Sequence, residues 1–343
     1  MKKKLFIIIL AIILAILSII SLFIGSSNMK IIDVVNALFL KGLASNIRIV
    51  YNIRIPRIIA AIVAGGGLSI AGLIMQTTLN NQMASPQTLG VTNAAVFGAN
   101  ISIILFAGGY FVTNNSTSFF TNVNPFSTSF MAFIFAIFST ILILCMCKSN
   151  EFSPNIVILL GIAMGSLFNA LTTLLQYYAT DVGLSAAIAW NFGDLGRATY
   201  KTDIIMLIAL FIAFIYFILN SWRYNALLSG DNVAKSLGIN VKVFRFISLL
   251  LASLITATCV SFLGIIGFIG LICPHICRKV VGNDHRYLLP SSLLFGSVLL
   301  LFADMISRIA NNGVSLPVGS ITTLFGLPFF IFIIFNKRSN KNA

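Results

Sequence analysis

Charge is what this chain has least of. Only 9% of its 343 residues are charged, 58% are hydrophobic, and the mean hydropathy is +1.01. A soluble domain carries about 25% charged residues, so this composition cannot cover a water-facing surface. Catalytic signatures are missing as well. There is no G-x-x-x-x-G-K-[ST], so the chain has no phosphate cradle and cannot hydrolyse ATP by that route. Neither H-E-x-x-H nor G-x-S-x-G occurs, which removes the usual signatures of membrane proteases and hydrolases. Charged residues deep in the apolar runs are nearly absent. Proton- and sodium-coupled carriers usually keep such groups as relays or ion sites, so this absence weighs against a secondary carrier. The five cysteines, Cys145, Cys147, Cys259, Cys273 and Cys277, lie in or beside apolar segments. An odd number without loop placement argues against a disulfide framework. Cys273-Pro-His275-Ile-Cys277 superficially resembles metal spacing, but on a helix 273 and 277 share a face that 275 does not. Small apolar packing residues are the better account, and neither a metal nor a cofactor is expected.

What is present is hydrocarbon in long runs. Stretches of about 20 apolar residues match the length a helix needs to cross a bilayer. They are continuous and do not alternate, which argues against a β-barrel. The expected fold class is all-α, a polytopic membrane protein with about ten transmembrane helices. Their approximate spans are 5–24, 56–78, 88–107, 128–147, 155–178, 202–221, 243–262, 264–280, 287–307 and 317–336. The first run is too long for a signal-peptide core and lacks a good cleavage site, so it reads as an uncleaved helix. The eighth is interrupted by Gly264, Gly267, Gly270 and Pro274; broken helices survive where neighbouring protein re-satisfies the backbone, so it is expected to be internal.

Ten spans put both termini on one side. With that side cytoplasmic, 14 of the 22 lysines and arginines lie inside, among them Lys2, Lys3, Lys4, Arg223, Lys235, Arg245, Arg278 and Lys341, in keeping with the positive-inside rule. The net charge of +14 is then mostly an orientation signal, and no nucleic-acid partner is called for. The loop Gly109–Thr128 is uncharged and rich in Asn, Ser, Thr and Phe. Arg54 and Arg57 flank the outer entry of span two and Arg308 the outer end of span nine. Snorkelling to the interface and a functional role are equally compatible with that placement. Asp304, four residues before Arg308, is an available intrahelical partner. Ala61, Gly65 and Ser69, with Gly66, Gly67 and Gly72, form a stripe of small residues that lets helices approach closely, so span two is expected at the centre. Gln76, Asn169 and Gln176 are polar groups in or near spans, suited to interhelical hydrogen bonds or to a pathway.

Between two of these runs lies a polar island, Trp222–Phe244. Within it Asp231 to Leu237 has an acidic start and a glycine stop at Gly238, with apolar Val233, Ala234 and Leu237 at helical spacing. A short helix that touches another protein and an ordinary solvated loop both fit that pattern.

A series of blocks resembles one family. Arg54-Ile-Pro-Arg57, the glycine-rich helix and Gln76-Thr-Thr-Leu-Asn-Asn-Gln-Met-Ala-Ser-Pro-Gln-Thr-Leu-Gly-Val91 resemble the hallmark block of the iron–siderophore and cobalamin (FecCD-type) ABC importer permeases. The likeness continues through Trp190-Asn-Phe-Gly, Gly230-Asp-Asn-Val-Ala-Lys-Ser-Leu-Gly238, the segment Gly264–Arg278, Asp284-His-Arg286, Asp304-Met-Ile-Ser-Arg308 and Leu316-Pro-Val-Gly319. These occur in order over nearly the whole chain, and they specify the family far better than the substrate.

The resemblance implies a single transmembrane permease domain over 1–343, in the bacterial cytoplasmic membrane. It would work beside a second permease subunit, identical or paralogous, surrounded by membrane lipid, with ABC ATPase subunits below and an extracytoplasmic substrate-binding protein above. It implies that the cytoplasmic segment of about 222–244 couples to the ATPase, through Ser229, Gly230, Asp231, Ala234, Leu237 and Gly238, and so rocks the helices between outward- and inward-open states. By motif, Arg54, Arg57 and Arg308 stand where a family member receives acidic side chains of its binding protein, a task suited to the planar, permanently charged guanidinium. Ser153, Pro154 and Asn155 fall at the inner end of span five, where family members often place small hydroxyl residues that narrow a cytoplasmic gate. Asn81-Gln82-Met83 departs from the usual Asn-Pro-Leu, leaving the turn after span two without one expected proline. The cargo implied is a ferric siderophore, with haem or cobalamin the alternative. It would cross chemically unchanged, so no residue is catalytic.

Overall fold

The computed structural model of the chain describes residues 2–25, 29–106, 124–148, 153–309 and 316–339, with the side chains of 148 and 329–339 left aside. Most of the uncharged loop expected at Gly109–Thr128 lies outside the described residues, as does Lys341. The fold is all-α. In chain order the helices are α1 (Lys2–Phe23), α2 (Ile31–Leu38), α3 (Ala44–Ile49), α4 (Ile55–Thr78), α5 (Val91–Asn100), α6 (Pro125–Lys148), α7 (Pro154–Tyr177) and α8 (Asp181–Asn191). They continue as α9 (Tyr200–Leu219), α10 (Ser221–Leu228), α11 (Asp231–Ser236), α12 (Val241–Leu263), α13 (Ile269–Val281), α14 (His285–Ile309) and α15 (Val318–Ser339).

Seven helical segments among the described residues are long and apolar enough to cross a bilayer, against the ten expected. They are Lys2–Phe23, Ala44–Thr78, Pro125–Cys147, Pro154–Tyr177, Tyr200–Leu219, Val241–Leu263 and His285–Ile309. The third and eighth expected spans are helical but short, and the tenth is described in full only over its first half. Val91–Phe106 ends in a wide π turn and α13 has only 13 residues, while α15 runs 22 residues with its side chains described to Pro328. The eighth span begins at 269 and not at 264, because Gly264 at φ +79° ends α12 and Phe268 at φ +65° precedes α13. Backbone freed by that break is re-bonded inside the protein. Asp194 N donates to Leu263 O at 2.8 Å, Val318 N donates to Gly193 O at 2.8 Å, and Phe192 bridges Ile265. The Trp190-Asn-Phe-Gly193 block is thus the brace for the broken span. As expected, α13 is internal, with Ile269, Gly270, Ile272, Cys273, Pro274 and Cys277 buried.

Span two is the central helix. Its apolar stretch is 89% buried, whereas that of α1 is 11% buried and faces outward. It packs most extensively on α14, then on α12 and α13. Hydrocarbon offers no hydrophobic drive to join helices, so association depends on close contact, and the small-residue stripe supplies it. A Cβ on Gly65 would lie 2.4 Å from Gly296 O, and one on Gly72 only 1.8 Å from Gly270 O. Ser69 Oγ and Ser297 Oγ complete the contact with α14 by donating to Ser292 O (2.6 Å) and Ile62 O (2.7 Å).

Helix ends are fixed by local chemistry. Thr180, Thr199 and Asn240 accept from backbone N–H groups at the starts of α8, α9 and α12, each satisfying a donor the helix cannot. After α4, Asn81 Oδ1 accepts from Met83 N at 2.8 Å. That Asx turn bends the chain at the place where a proline was expected and is lacking.

Candidate functional site

The candidate residues gather at the two ends of α4. Its 24 residues set these ends about 36 Å apart at 1.5 Å per residue. The starts of α1 and α14 and all of α10 and α11 lie at its C-terminal end; the end of α14 and the C-terminus of α1 lie at its N-terminal end.

At the C-terminal end, the island Trp222–Phe244 is two short helices and a loop, and Asp231–Ser236 is the short helix its pattern allowed. Gly230 (φ +111°) and Gly238 (φ +79°) flank it in backbone conformations that side-chain-bearing residues avoid, while a Cβ at either would meet nothing within 4 Å. These glycines therefore serve the turns and not the packing. Gly238 N donates to Lys235 O at 2.9 Å and Ile239 N to Ala234 O at 3.1 Å, the paired bonds of a Schellman stop. Ala234 is fully buried and seats the helix, whereas Val233 (44% exposed) and Leu237 (56%) stand out together, four residues apart. Ser229 is exposed beside them. Asp231 does not cap the helix. Its carboxylate takes a bidentate pair of bonds from Arg245 of α12, Nη1 to Oδ2 at 2.8 Å and Nη2 to Oδ1 at 2.6 Å. Asp284, in the loop before α14, titrates below the usual carboxylate range. Partial burial alone would raise it, but bonds from Asn225 and the Arg286 backbone, with the charges of Arg286 and Lys3, outweigh that.

At the other end the three arginines are neither snorkelling nor exposed. Arg54, Arg57 and Arg308 are 3%, 8% and 6% exposed. Arg57 Nε donates to Asp304 Oδ1 at 2.7 Å across the α4–α14 contact. Asp304 Oδ2 lies 2.9 Å from Arg308 Nη2, the expected partner four residues on, so one buried carboxylate serves two guanidinium groups. Arg308 also donates to Ser21 O at 3.0 Å, to Ile24 O at 2.5 Å and to the Ser21 hydroxyl, and Arg54 donates to Leu22 O at 2.6 Å. Those carbonyls are the unsatisfied C-terminal groups of α1, at the negative end of its dipole, where cations are favoured. The expectation that these arginines stand ready for a partner's carboxylates is therefore modified: they are already bonded within the chain. Asp194 approaches Arg57 to 4.0 Å and is itself more open to solvent.

Ser153, Pro154 and Asn155 form the start of α7, with Asn155 exposed and the other two partly buried. Along the same helix Ser166, Asn169 and Thr173 are exposed, an outward polar face on an apolar span. Gln176 is turned inward instead, donating to Asn100 Oδ1 at 3.0 Å, and Gln76 donates to Leu271 O at 3.2 Å while accepting from Arg278 at 2.7 Å. Both are interhelical bonds.

A bundle of long apolar helices, with a short helix at one end that holds Val233 and Leu237 out from a polar segment, has the form of a membrane protein with a surface outside the bundle. Comparison with known proteins gives the family. The FecCD transport family model matches residues 13–336, and the chain belongs to that family. It is 44% identical over 333 residues to a Methanocaldococcus jannaschii protein named as an ABC transporter permease, covering 97% of this chain and 95% of that one. It is 34% identical to the Fe(3+)-citrate import system permease protein of Bacillus subtilis, covering 97% and 95%. Other relatives are named for vitamin B12, hemin and molybdate import. A solved structure described as an inward-facing conformation of a metal-chelate type ABC transporter superposes with a TM-score of 0.81 at 26% identity, covering 97% of this chain and 99% of that chain. The protein is the membrane permease subunit of an ABC importer; ATP hydrolysis belongs to another subunit.

Proposed function

We propose that this permease carries a ferric siderophore across the cytoplasmic membrane, driven by an ATPase that docks on α11. The observation that carries the coupling role is the exposed Val233–Leu237 pair on a helix whose length is set by two glycines and whose carboxylate is clamped by Arg245. Apolar side chains held out from a polar segment suit the floor of a protein cleft, and Ser229, Gly230, Asp231, Ala234, Leu237 and Gly238 shape or seat that surface. Val91–Phe106, α13 and α15 count as crossings in this reading, which restores ten and puts both termini on the coupling side.

The polar stripe Ser166, Asn169 and Thr173 on α7 supports a second permease subunit. Polar groups facing lipid are costly, whereas groups facing a pathway between two subunits are solvated by water and cargo. Ser153, Pro154 and Asn155, at the coupling end of the same helix, stand at the inner mouth and serve as its gate. The binding protein seats at the end where Arg54, Arg57 and Arg308 cluster. To receive its carboxylates directly, these arginines exchange bonds now made to Asp304 and to α1.

The ferric chelate is favoured by the full-length relative named for iron citrate and by the metal-chelate type of the superposed transporter. Uptake by the complete complex in proteoliposomes, with ATP supplied on the ATPase side, tests the reading. Labelled ferric siderophore is expected to enter only with ATP, uncompeted by haem or cobalamin, and Asn155→Trp is expected to slow entry. Uptake of haem or cobalamin in preference to the ferric chelate overturns the substrate assignment.

A further inference from the structure

The coupling segment is fastened to the last turn of α4 by two separate polar struts. Arg245, buried in the first turns of α12, forms the first. While its two Nη groups hold Asp231 of α11, its Nε donates to Thr78 O at 2.9 Å. Thr78 is the last residue of α4, so this carbonyl is one that the helix itself leaves unbonded. A planar guanidinium can grip a carboxylate and a carbonyl at once in fixed directions; an ammonium is a point donor without that fork.

The second strut starts at Asn225 of α10. Its side-chain oxygen accepts from His285 N and from His285 Nδ1, both at 2.9 Å, while its amide donates to Asp284 Oδ1 at 3.0 Å. A carboxylate only accepts, so the amide orientation is fixed, and with it the imidazole proton on Nδ1. His285 Nε2 is then an acceptor for the hydroxyl of Thr77, 2.8 Å away. Tyr224 of α10 stacks on the imidazole at 5.6 Å between ring centres, and its hydroxyl lies 2.7 Å from Ser248 Oγ of α12. The two struts thus end on consecutive residues, Thr77 and Thr78, of the most buried span.

We infer that Arg245 and His285 are positioning residues for transport: they carry displacement of α11 and α10 into the C-terminal turn of α4. The inference rests on α11 being the ATPase contact. The opposite end of α4 is held by Arg57 on Asp304 and by Arg54 on α1, so displacement at the C-terminal turn tilts the helix about that fixed end. Both struts are short and directional, and each is buried where it meets α4. Neither strut includes Val233 or Leu237, the exposed apolar side chains of α11.

The test uses the purified complex of permease and cognate ATPase in a Cys145→Ser background, since Cys145 is the exposed native thiol among the described residues. A Met83→Cys label, in the exposed turn just beyond α4, reports on that end through its maleimide reaction rate with and without ATP and vanadate. Arg245→Lys keeps the charge opposite Asp231 and loses the fork; Thr77→Val keeps the shape and removes the hydroxyl that His285 accepts from. Each is expected to retain ATPase binding and ATP hydrolysis while reducing the nucleotide-driven rate change, and the double variant is expected to abolish it. A parental rate change in the double variant overturns the inference. Restoration of the change in Arg245→Lys by added Asp231→Glu, which lengthens the acid without rebuilding the Thr78 bond, overturns it too. Loss of ATPase binding on altering Val233 and Leu237 is read separately, so failure of the docking surface and failure of the struts give different results.

Discussion

A carboxylate shared by two arginines decides the chemistry at the N-terminal end of α4. Asp304 is fully buried between Arg57 and Arg308. Removing one member of a buried ion group costs about 3–5 kcal/mol, because the others are left without compensation. Asp304→Asn keeps the shape and removes the charge. It is expected to lower the thermal unfolding midpoint of the detergent-purified protein by several degrees and to weaken capture of the substrate-loaded binding protein with it. An unchanged midpoint with weakened capture would make the triad a docking device alone. Only half of this cluster was legible in the sequence. The Asp304–Arg308 spacing of one helical turn announces itself, but Arg57 is 247 residues away from Asp304 and nothing local links them. The same holds for the bonds from Arg308 and Arg54 to the end of α1, whose acceptors are backbone carbonyls and carry no sequence signature.

At the scale of elements, what the sequence displays best is close packing. The glycines of α4 mark where α13 and α14 approach it, and Gly72 meets the backbone of Gly270 directly. Gly72→Val places carbon on that carbonyl, where no flexible side chain can yield. Overpacking of this sort costs about 1–3 kcal/mol or more. The expected result is a lower unfolding midpoint and loss of ATP-dependent uptake; normal uptake would show that α4 and α13 can separate without consequence. The break before α13 was also legible, from its glycines and proline. Its brace by Trp190–Gly193 was not, since that contact is made through backbone atoms. Span length was the weakest inference. Hydropathy over 88–107 and 264–280 gives no sign that one helix ends in a π turn and the other starts five residues late. Helices α2 and α8 were missed for different reasons: α2 has a helical period at Ile31, Val34, Val35 and Leu38 but only eight residues, and α8 has no clean period.

The whole molecule is organised around α4, bonded near its N-terminus to the arginine cluster and tied at its C-terminus to α12 and α14 through Arg245 and His285. The chain carries an exposed polar stripe on α7 and the exposed Val233–Leu237 pair on α11, and ATP hydrolysis belongs to another subunit of the importer. The central claim is that motion enters through Val233 and Leu237. The most direct measurement is co-purification of the ATPase with affinity-tagged permease carrying Val233→Asp and Leu237→Asp. Both side chains are exposed, so the unfolding midpoint of the permease is expected to stay where it is. The account predicts that the ATPase is lost from the complex and ATP-driven uptake with it; an ATPase still bound in parental amount and still supporting uptake would contradict it.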